Sequence, residues 1–376
     1  MKTKNEIRSI VTAGIILGLV AVVLVFFGNP ANMGFCIACF LRDTAGALKL
    51  HSAAVVQYIR PEIMGLVLGS FLMALLKGEF HPRGGSASLT RFLLGFCVMV
   101  GCLCFLGCPF RMILRLAGGD LNALTGLVGF AAGIGVGVLF LRKGYSLKRT
   151  YAQSKAEGMA FPVVQLLLLG LLVFFPAQLA FSESGPGSAH APILISLAAG
   201  LLVGALAQRT RLCMAGGIRD VMLFRERKLL MGFAAVFAAA LCGNLLLHFF
   251  NAPAYFKLSF LNQPVSHSAH LWNFLGMVLV GFGSTLLGDC PLRQLILAGE
   301  GNTDSAITVL GFAVGAAFCH NFSLAGSADA VKDGVYTVGG PSTNGKVAVI
   351  LCLVAVTAIA CFHTLRKSSV SERSHV

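Results

Sequence analysis

The sequence predicts an all-α polytopic membrane protein of about ten transmembrane helices in two inverted repeats, each with two short re-entrant half-helices carrying Cys motifs. Three observations predict it. Of 376 residues, 56% are hydrophobic and only 12% charged, whereas a soluble domain carries about 25% charged residues. Apolar runs of nearly bilayer length recur along the chain. Two different Cys motifs each occur twice, in the same order.

A helix needs roughly 20 apolar residues to cross the hydrocarbon core. Ten windows approach that length: 10–28, 61–77, 91–107, 121–141, 161–181, 191–208, 229–250, 271–288, 304–323 and 346–365. The first is too long for a signal-peptide core of about 7–15 residues, and no small-residue cleavage site follows it, so it reads as a span. The formal charge of +14 points to topology rather than to nucleic acid. MKTKNEIR and the stretches 77–91, 142–155, 208–228 and 363–375 are basic, and ten crossings put them all on one side. Basic loops stay cytoplasmic, which implies a multi-pass protein of a bacterial inner membrane with both termini inside. The stretches 29–60 and 108–120 also carry Arg and Lys yet fall on the far side. They need another explanation.

The repeat is read from two alignments. GFCIACFLRD (34–43) matches RLCMAGGIRD (211–220), so that Cys36, Arg42 and Asp43 correspond to Cys213, Arg219 and Asp220. GCPFRMILRLAGGD matches DCPLRQLILAGEGN, so that Cys108, Pro109 and Arg111 correspond to Cys290, Pro291 and Arg293. The offsets are 177 and 182 residues. Five crossings separate the copies, an odd number, so the halves run in opposite senses, as in many secondary transporters. The expected organisation is a first half over 1–160, a connecting helix and outer loop over 161–190, a second half over 191–325, and a final helix with a basic cytoplasmic tail over 326–376.

Proline suits the first position of a helix, where its missing N–H has no partner to lose. Pro109 and Pro291 therefore place Cys108 and Cys290 at N-caps. The helices that follow are too short to span and are expected to be re-entrant, which is tolerated where backbone is buried in protein or lines a cavity. Free N–H groups and the helix dipole put partial positive charge at such a cap. Arg111 and Arg293 lie one turn further on. Thiol, amide and guanidinium together suit a small sulfur- or selenium-containing anion. Arg42, Asp43, Arg219, Asp220 and Asp289 are supporting charges, and the Arg-Asp neighbours also read as plain ion pairs. For a single copy a simpler reading is open: Pro starts a helix, Cys fills space and Arg reaches to headgroups.

Cys97, Cys102, Cys104, Cys242, Cys352 and Cys361 lie in apolar runs and read as small apolar packers. Cys36 and Cys39 have the C-x-x-C spacing, but Gly216 replaces the second thiol in the other copy, and no second pair completes a zinc site. No metal or cofactor is expected. GGSASL lacks the spacing and Lys of a phosphate-binding loop. His81, His190, His267 and His270 are expected to be solvated in loops.

These four motifs resemble the YeeE/YedE family of membrane proteins, associated with sulfur transport, across about 10–365, nearest to its selenium-metabolism branch. The resemblance implies an hourglass whose inverted halves meet at a constriction. It implies a permease for thiosulfate or a selenium counterpart, not an enzyme, in which Cys36, Cys108 and Cys290 pass the anion along by S–H contacts, with Cys213 a fourth thiol. The partners so implied are the bilayer, the small anion and a cytoplasmic sulfur-carrier or selenium-metabolism protein. Two other classes stay open from the residues: a membrane-bound thiol enzyme forming a persulfide or acting in redox chemistry, and a less selective anion channel.

Overall fold

The structure, a computed structural model, describes residues 2–251, 255–332 and 335–373. The first seven helices are α1 (Lys2–Phe26), α2 (Ile37–Ala47), α3 (Pro61–Leu76), α4 (Ser88–Phe105), α5 (Pro109–Ala117), α6 (Asn122–Arg142) and α7 (Lys155–Phe174). The next seven repeat their order of long and short helices: α8 (Ile193–Thr210), α9 (Met214–Phe224), α10 (Lys228–Asn251), α11 (His270–Leu287), α12 (Pro291–Gly299), α13 (Thr303–Asn321) and α14 (Thr343–Arg373). The expected basic tail continues into 374–376, outside the described residues. Short strands of two or three residues only pin loops, as where Arg83–Gly84 pairs with Tyr151–Ala152.

Each of the ten apolar windows is a helix: α1, α3, α4, α6, α7, α8, α10, α11, α13 and α14. Among the described residues, nine helical stretches are long and apolar enough to cross a membrane, and Pro61–Leu76 is apolar but shorter. The other four helices carry the Cys motifs; α2 and α9 have 11 residues each, α5 and α12 have 9.

Contacts sort the loops into two ends. Glu6 pairs with Lys228 at 3.1 Å and Glu79 with Arg209 at 2.9 Å, which gathers the N-terminus and the 77–87 and 211–227 stretches at one end. The pairing of Arg83–Gly84 adds the 143–154 stretch. At the other end Ser182 Oγ accepts from Gln57 N at 2.7 Å, Lys257 N donates to Gly118 O at 3.0 Å, and Ser268 N donates to Asp329 at 3.2 Å. Successive loops alternate between these ends.

The packing repeats as well. Helix α3 lies on α8, and its counterpart α10 lies on α1; α6 lies on α11, and α13 on α4. The same backbone approach recurs in both copies. A Cβ at Gly129 would collide with Phe274 O, and one at Gly311 with Phe92 O, residues that differ by 182 in each case. Small residues allow helices to come this close without a side chain between them. The short helices follow suit: α5 packs on α10 as α12 does on α3, and α9 on α6 as α2 does on α13. The flanking helices differ, α7 lying on α3 and α12, α14 on α4 and α11.

Arginines in the two exceptional stretches are not loop charges. Arg42, Arg60, Arg111 and Arg115 are all buried. Arg42 and Arg60 share Asp43, at 2.7 and 2.8 Å. Arg115 pairs with Asp120 at 2.7 Å and also donates to Phe105 O and Ser266 Oγ. A buried ion pair survives desolvation when further hydrogen bonds satisfy its remaining donors, and these do. His267 departs from the expectation of a solvated loop residue: it is buried, with Nε2 at 2.7 Å from Cys104 O. The 255–269 segment folds down onto the α4–α5 junction and carries His267 in with it.

Candidate functional site

Cys36 is the N-cap of α2, in extended backbone (φ −146, ψ 112), and its sulfur accepts the N–H of Cys39 at 3.3 Å. Cys213 caps α9 with nearly the same backbone (φ −147, ψ 121) and accepts from Gly216 N at 3.3 Å. Here a thiol takes the part usually played by Ser or Asp, satisfying one of the orphan donors of the first turn. Cys108 and Cys290 cap α5 and α12 ahead of Pro109 and Pro291, also in extended backbone.

The motifs meet within each half. Ile37 N donates to the Cys108 sulfur at 3.3 Å, and Met214 N donates to the Cys290 sulfur at 3.4 Å. The Cys36 and Cys108 thiols lie within hydrogen-bond reach of one another, as do those of Cys213 and Cys290. Cys290 N completes the second pair by donating to Cys213 Sγ at 3.3 Å. Each half thus sets two thiols side by side between two helix N-termini. All four are buried, and all twelve cysteines are free.

Both pairs hang from a left-handed residue that ends the preceding span. Gly288 takes this conformation after α11 (φ 94); after α4 the residue is Leu106 (φ 61), for which it is unfavourable. The surrounding contacts hold Leu106 there: its carbonyl accepts from Arg111 Nη1 and lies 3.9 Å from the Cys39 thiol. Arg111 also donates to Asn32 O at 3.2 Å and Val265 O at 3.2 Å, so its guanidinium ties three loops together. Its counterpart Arg293 instead pairs with Glu300 at 3.0 Å and, among the described residues, leaves Nη1 buried without a partner. The Gly288 carbonyl is taken by Arg219, which also pairs with Asp220 at 3.0 Å. The Arg-Asp neighbours are therefore ion pairs, and Arg219 is at the same time part of the second thiol site.

Cavities open at both ends of the bundle. One of about 370 Å³, at the end that holds the N-terminus, is lined by Arg91, Lys148, Arg219, Leu287 and Gly288. Another of about 520 Å³, at the opposite end, is lined by Cys319, His320, Gly326 and Lys346 among others. Of the cysteines read as packers, Cys102 is fully buried. Cys242 and Cys361 are exposed on the apolar surface.

Cys39, Arg60, Arg115 and Asp120 support the first site without having been singled out for it in the sequence. Arg-Pro-Glu at 60–62, charged at the head of an apolar run, was the available signal. Arg115 and Asp120 have no charged counterparts in the repeat, where Leu297 and Asn302 stand, so alignment of the halves passes over them. Among the described residues, no group of three or more His, Cys, Asp or Glu is arranged to hold a metal ion.

A family model described as sulphur transport matches residues 209–375, from the second Cys…Arg-Asp motif through the last helix. No curated protein matches the chain.

Proposed function

We propose that the chain is a membrane permease for a small sulfur- or selenium-containing anion, thiosulfate or a selenium counterpart, which passes between the Cys36/Cys108 and Cys213/Cys290 pairs. One observation carries this reading: two thiol pairs of the same construction, each between two helix N-termini, with the same amide-to-sulfur contacts. Each pair offers S–H donors and the positive ends of two helix dipoles. That suits a soft anion held without a covalent bond. The sulphur-transport match over 209–375 supports the substrate class.

In this reading the halves, 1–160 and 191–325, are inverted repeats joined by the helix and loop of 161–190, and α2, α5, α9 and α12 are re-entrant. Helix α1 begins at the end where α8 finishes, as Glu6–Lys228 and Arg209–Glu79 indicate. The basic end faces the cytoplasm of a bacterial inner membrane, in keeping with the retention of basic loops there. Arg111 and Arg219 act by fixing the thiol-bearing loops, and Arg293, a turn beyond Cys290, keeps a donor unused among the described residues. Flux follows a gradient and ends at a cytoplasmic sulfur-carrier or selenium-metabolism protein.

The test is uptake into proteoliposomes, comparing labelled thiosulfate with selenite for the wild type and Cys108→Ala. Uptake of one of them above empty vesicles, lost in the variant, is the expected result. Entry of neither would end the reading, and equal passage of chloride would favour a channel.

A further inference from the structure

The two thiol pairs share their cap and cross-pair amide contacts, the second adding the Cys290 N–H to Cys213, and the residue before the second thiol differs. It is Gly107 in the first half and Asp289 in the second. The Asp289 carboxylate lies against the Cys213 thiol, and the peptide joining it to Cys290 carries the N–H that donates to Cys213 at 3.3 Å. Asp289 is half-buried, and its neighbour Gly288 lines the cavity of about 370 Å³ at the basic end. The charged groups facing it are Arg219 and Asp220 on α9, Arg293 on α12 and Arg91 on α4. Each arginine already has its own acid: Arg219 pairs with Asp220 at 3.0 Å, Arg293 with Glu300 at 3.0 Å and Arg91 with Asp304 at 3.6 Å. Among the described residues, a carboxylate with no ion-pair partner of its own thus stands beside one thiol pair and not the other. Like charges repel strongly where little water screens them, so the two pairs differ in how firmly they hold an anion.

We propose that Asp289 is the release residue of the pathway: its charge weakens the grip of the Cys213/Cys290 pair, so that an anion taken up at Cys36/Cys108 is let go into the cavity at the basic end. This rests on the permease reading above. At the first pair, Gly107 contributes no charge and capture is undiminished. At the second, the anion leaves toward Arg91, Lys148 and Arg219 on the cavity wall. Protonation of Asp289 removes the repulsion, so the affinity of the basic face rises as that side is acidified.

The experiment uses the full chain in vesicles of known orientation, with labelled thiosulfate offered to each face in turn. The wild type is expected to half-saturate at a higher concentration on the basic face than on the other, with the basic-face value falling at lower pH. In Asp289→Asn the basic-face value should drop on the order of tenfold and lose its pH dependence. The opposite face should be unchanged and net flux toward the basic end slower. Asp289→Glu should keep the wild-type asymmetry, which separates charge from shape. An Asn variant with an unchanged basic-face value or a persisting pH dependence overturns the proposal. So does a wild type whose two faces saturate alike at every pH, a result that needs no variant to fold. Absence of thiosulfate uptake by the wild type would overturn the permease reading itself, and this inference with it.

Discussion

Arg60, at the head of α3, forms an ion pair with Asp43 of α2 at 2.8 Å, and neither side chain is exposed. The same guanidinium donates to Pro186 O and Ala189 O, so it fastens the first thiol-bearing helix to the loop between α7 and α8. Removing one member of a buried pair costs about 3–5 kcal/mol, because the other is left uncompensated. Arg42 also holds Asp43 at 2.7 Å, so Arg60→Met should lie at the low end of that range. Asp43→Asn strands two arginines and should cost more. Thermal unfolding in detergent will rank the variants; equal melting temperatures would contradict the shared-acid arrangement.

Serine in place of Cys108 separates folding from transport. Its hydroxyl can still accept the Ile37 N–H that the sulfur accepts at 3.3 Å, whereas alanine leaves that buried donor unpaired at about 1–3 kcal/mol. Cys108→Ser should therefore melt closer to the wild type than Cys108→Ala, while both carry little thiosulfate. The same ordering is expected for Cys290→Ser and Cys290→Ala, where the donor is Met214 N. A serine variant with full uptake would mean that the soft S–H contact is unimportant.

Membrane sidedness gives a third check. An impermeant thiol reagent should reach Cys36 or Cys108 from one face and Cys213 or Cys290 from the other, slowly, since all four are buried. Thiosulfate should slow the labelling. Modification of both pairs from a single face would contradict the inverted arrangement.

Cys97 on α4 and Cys352 on α14 lie within hydrogen-bond reach of each other, away from both thiol pairs. A membrane-permeant oxidant should link them, and protease cleavage between α4 and α14 should then leave the fragments joined until reduction. Because α14 flanks the bundle, uptake should survive the link. Fragments that separate without reductant would argue against this placement of α14.

Acid should loosen the paired strands of the 326–332 and 335–341 stretches, a hairpin-like unit. Burial alone would raise the Asp329 carboxyl, but the Tyr336 hydroxyl and the N–H groups of Gly339 and Ser268 outweigh it and hold the group below its ordinary value. A carboxyl depressed by folding stabilises fully above its unfolded pKa of about 3.9, and the gain is lost as pH falls through the lower folded value. Trp272, the sole tryptophan, has the Lys346 ammonium 5.7 Å from its ring at the foot of this hairpin. Its emission should hold steady from neutrality down to about pH 4 and shift below that. Asp329→Asn should show no such step.

Much of the architecture was legible because bilayer-length apolar runs leave little freedom: each of the ten windows is a helix. The Cys-Pro caps were legible too, since Pro109 and Pro291 fix where a helix starts. What spacing could not supply was the pairing. Cys36 and Cys108 are 72 positions apart, and only the packing of α2 beside the α4–α5 turn brings them together. Arg111 illustrates the same limit. Its chemistry suggested an anion, but its donors go to carbonyls of the 29–36 and 255–269 segments, which nothing local in the sequence ties to it.

The broad helix interfaces, α3 with α8, α10 with α1, α6 with α11 and α13 with α4, all run between the first seven helices and the last seven. Neither set could bury its apolar faces alone, however alike the two are in order. A polypeptide severed between α7 and α8 should therefore yield fragments that are degraded when made singly and rescue one another when made together, like interlaced fingers that hold only when both hands are present.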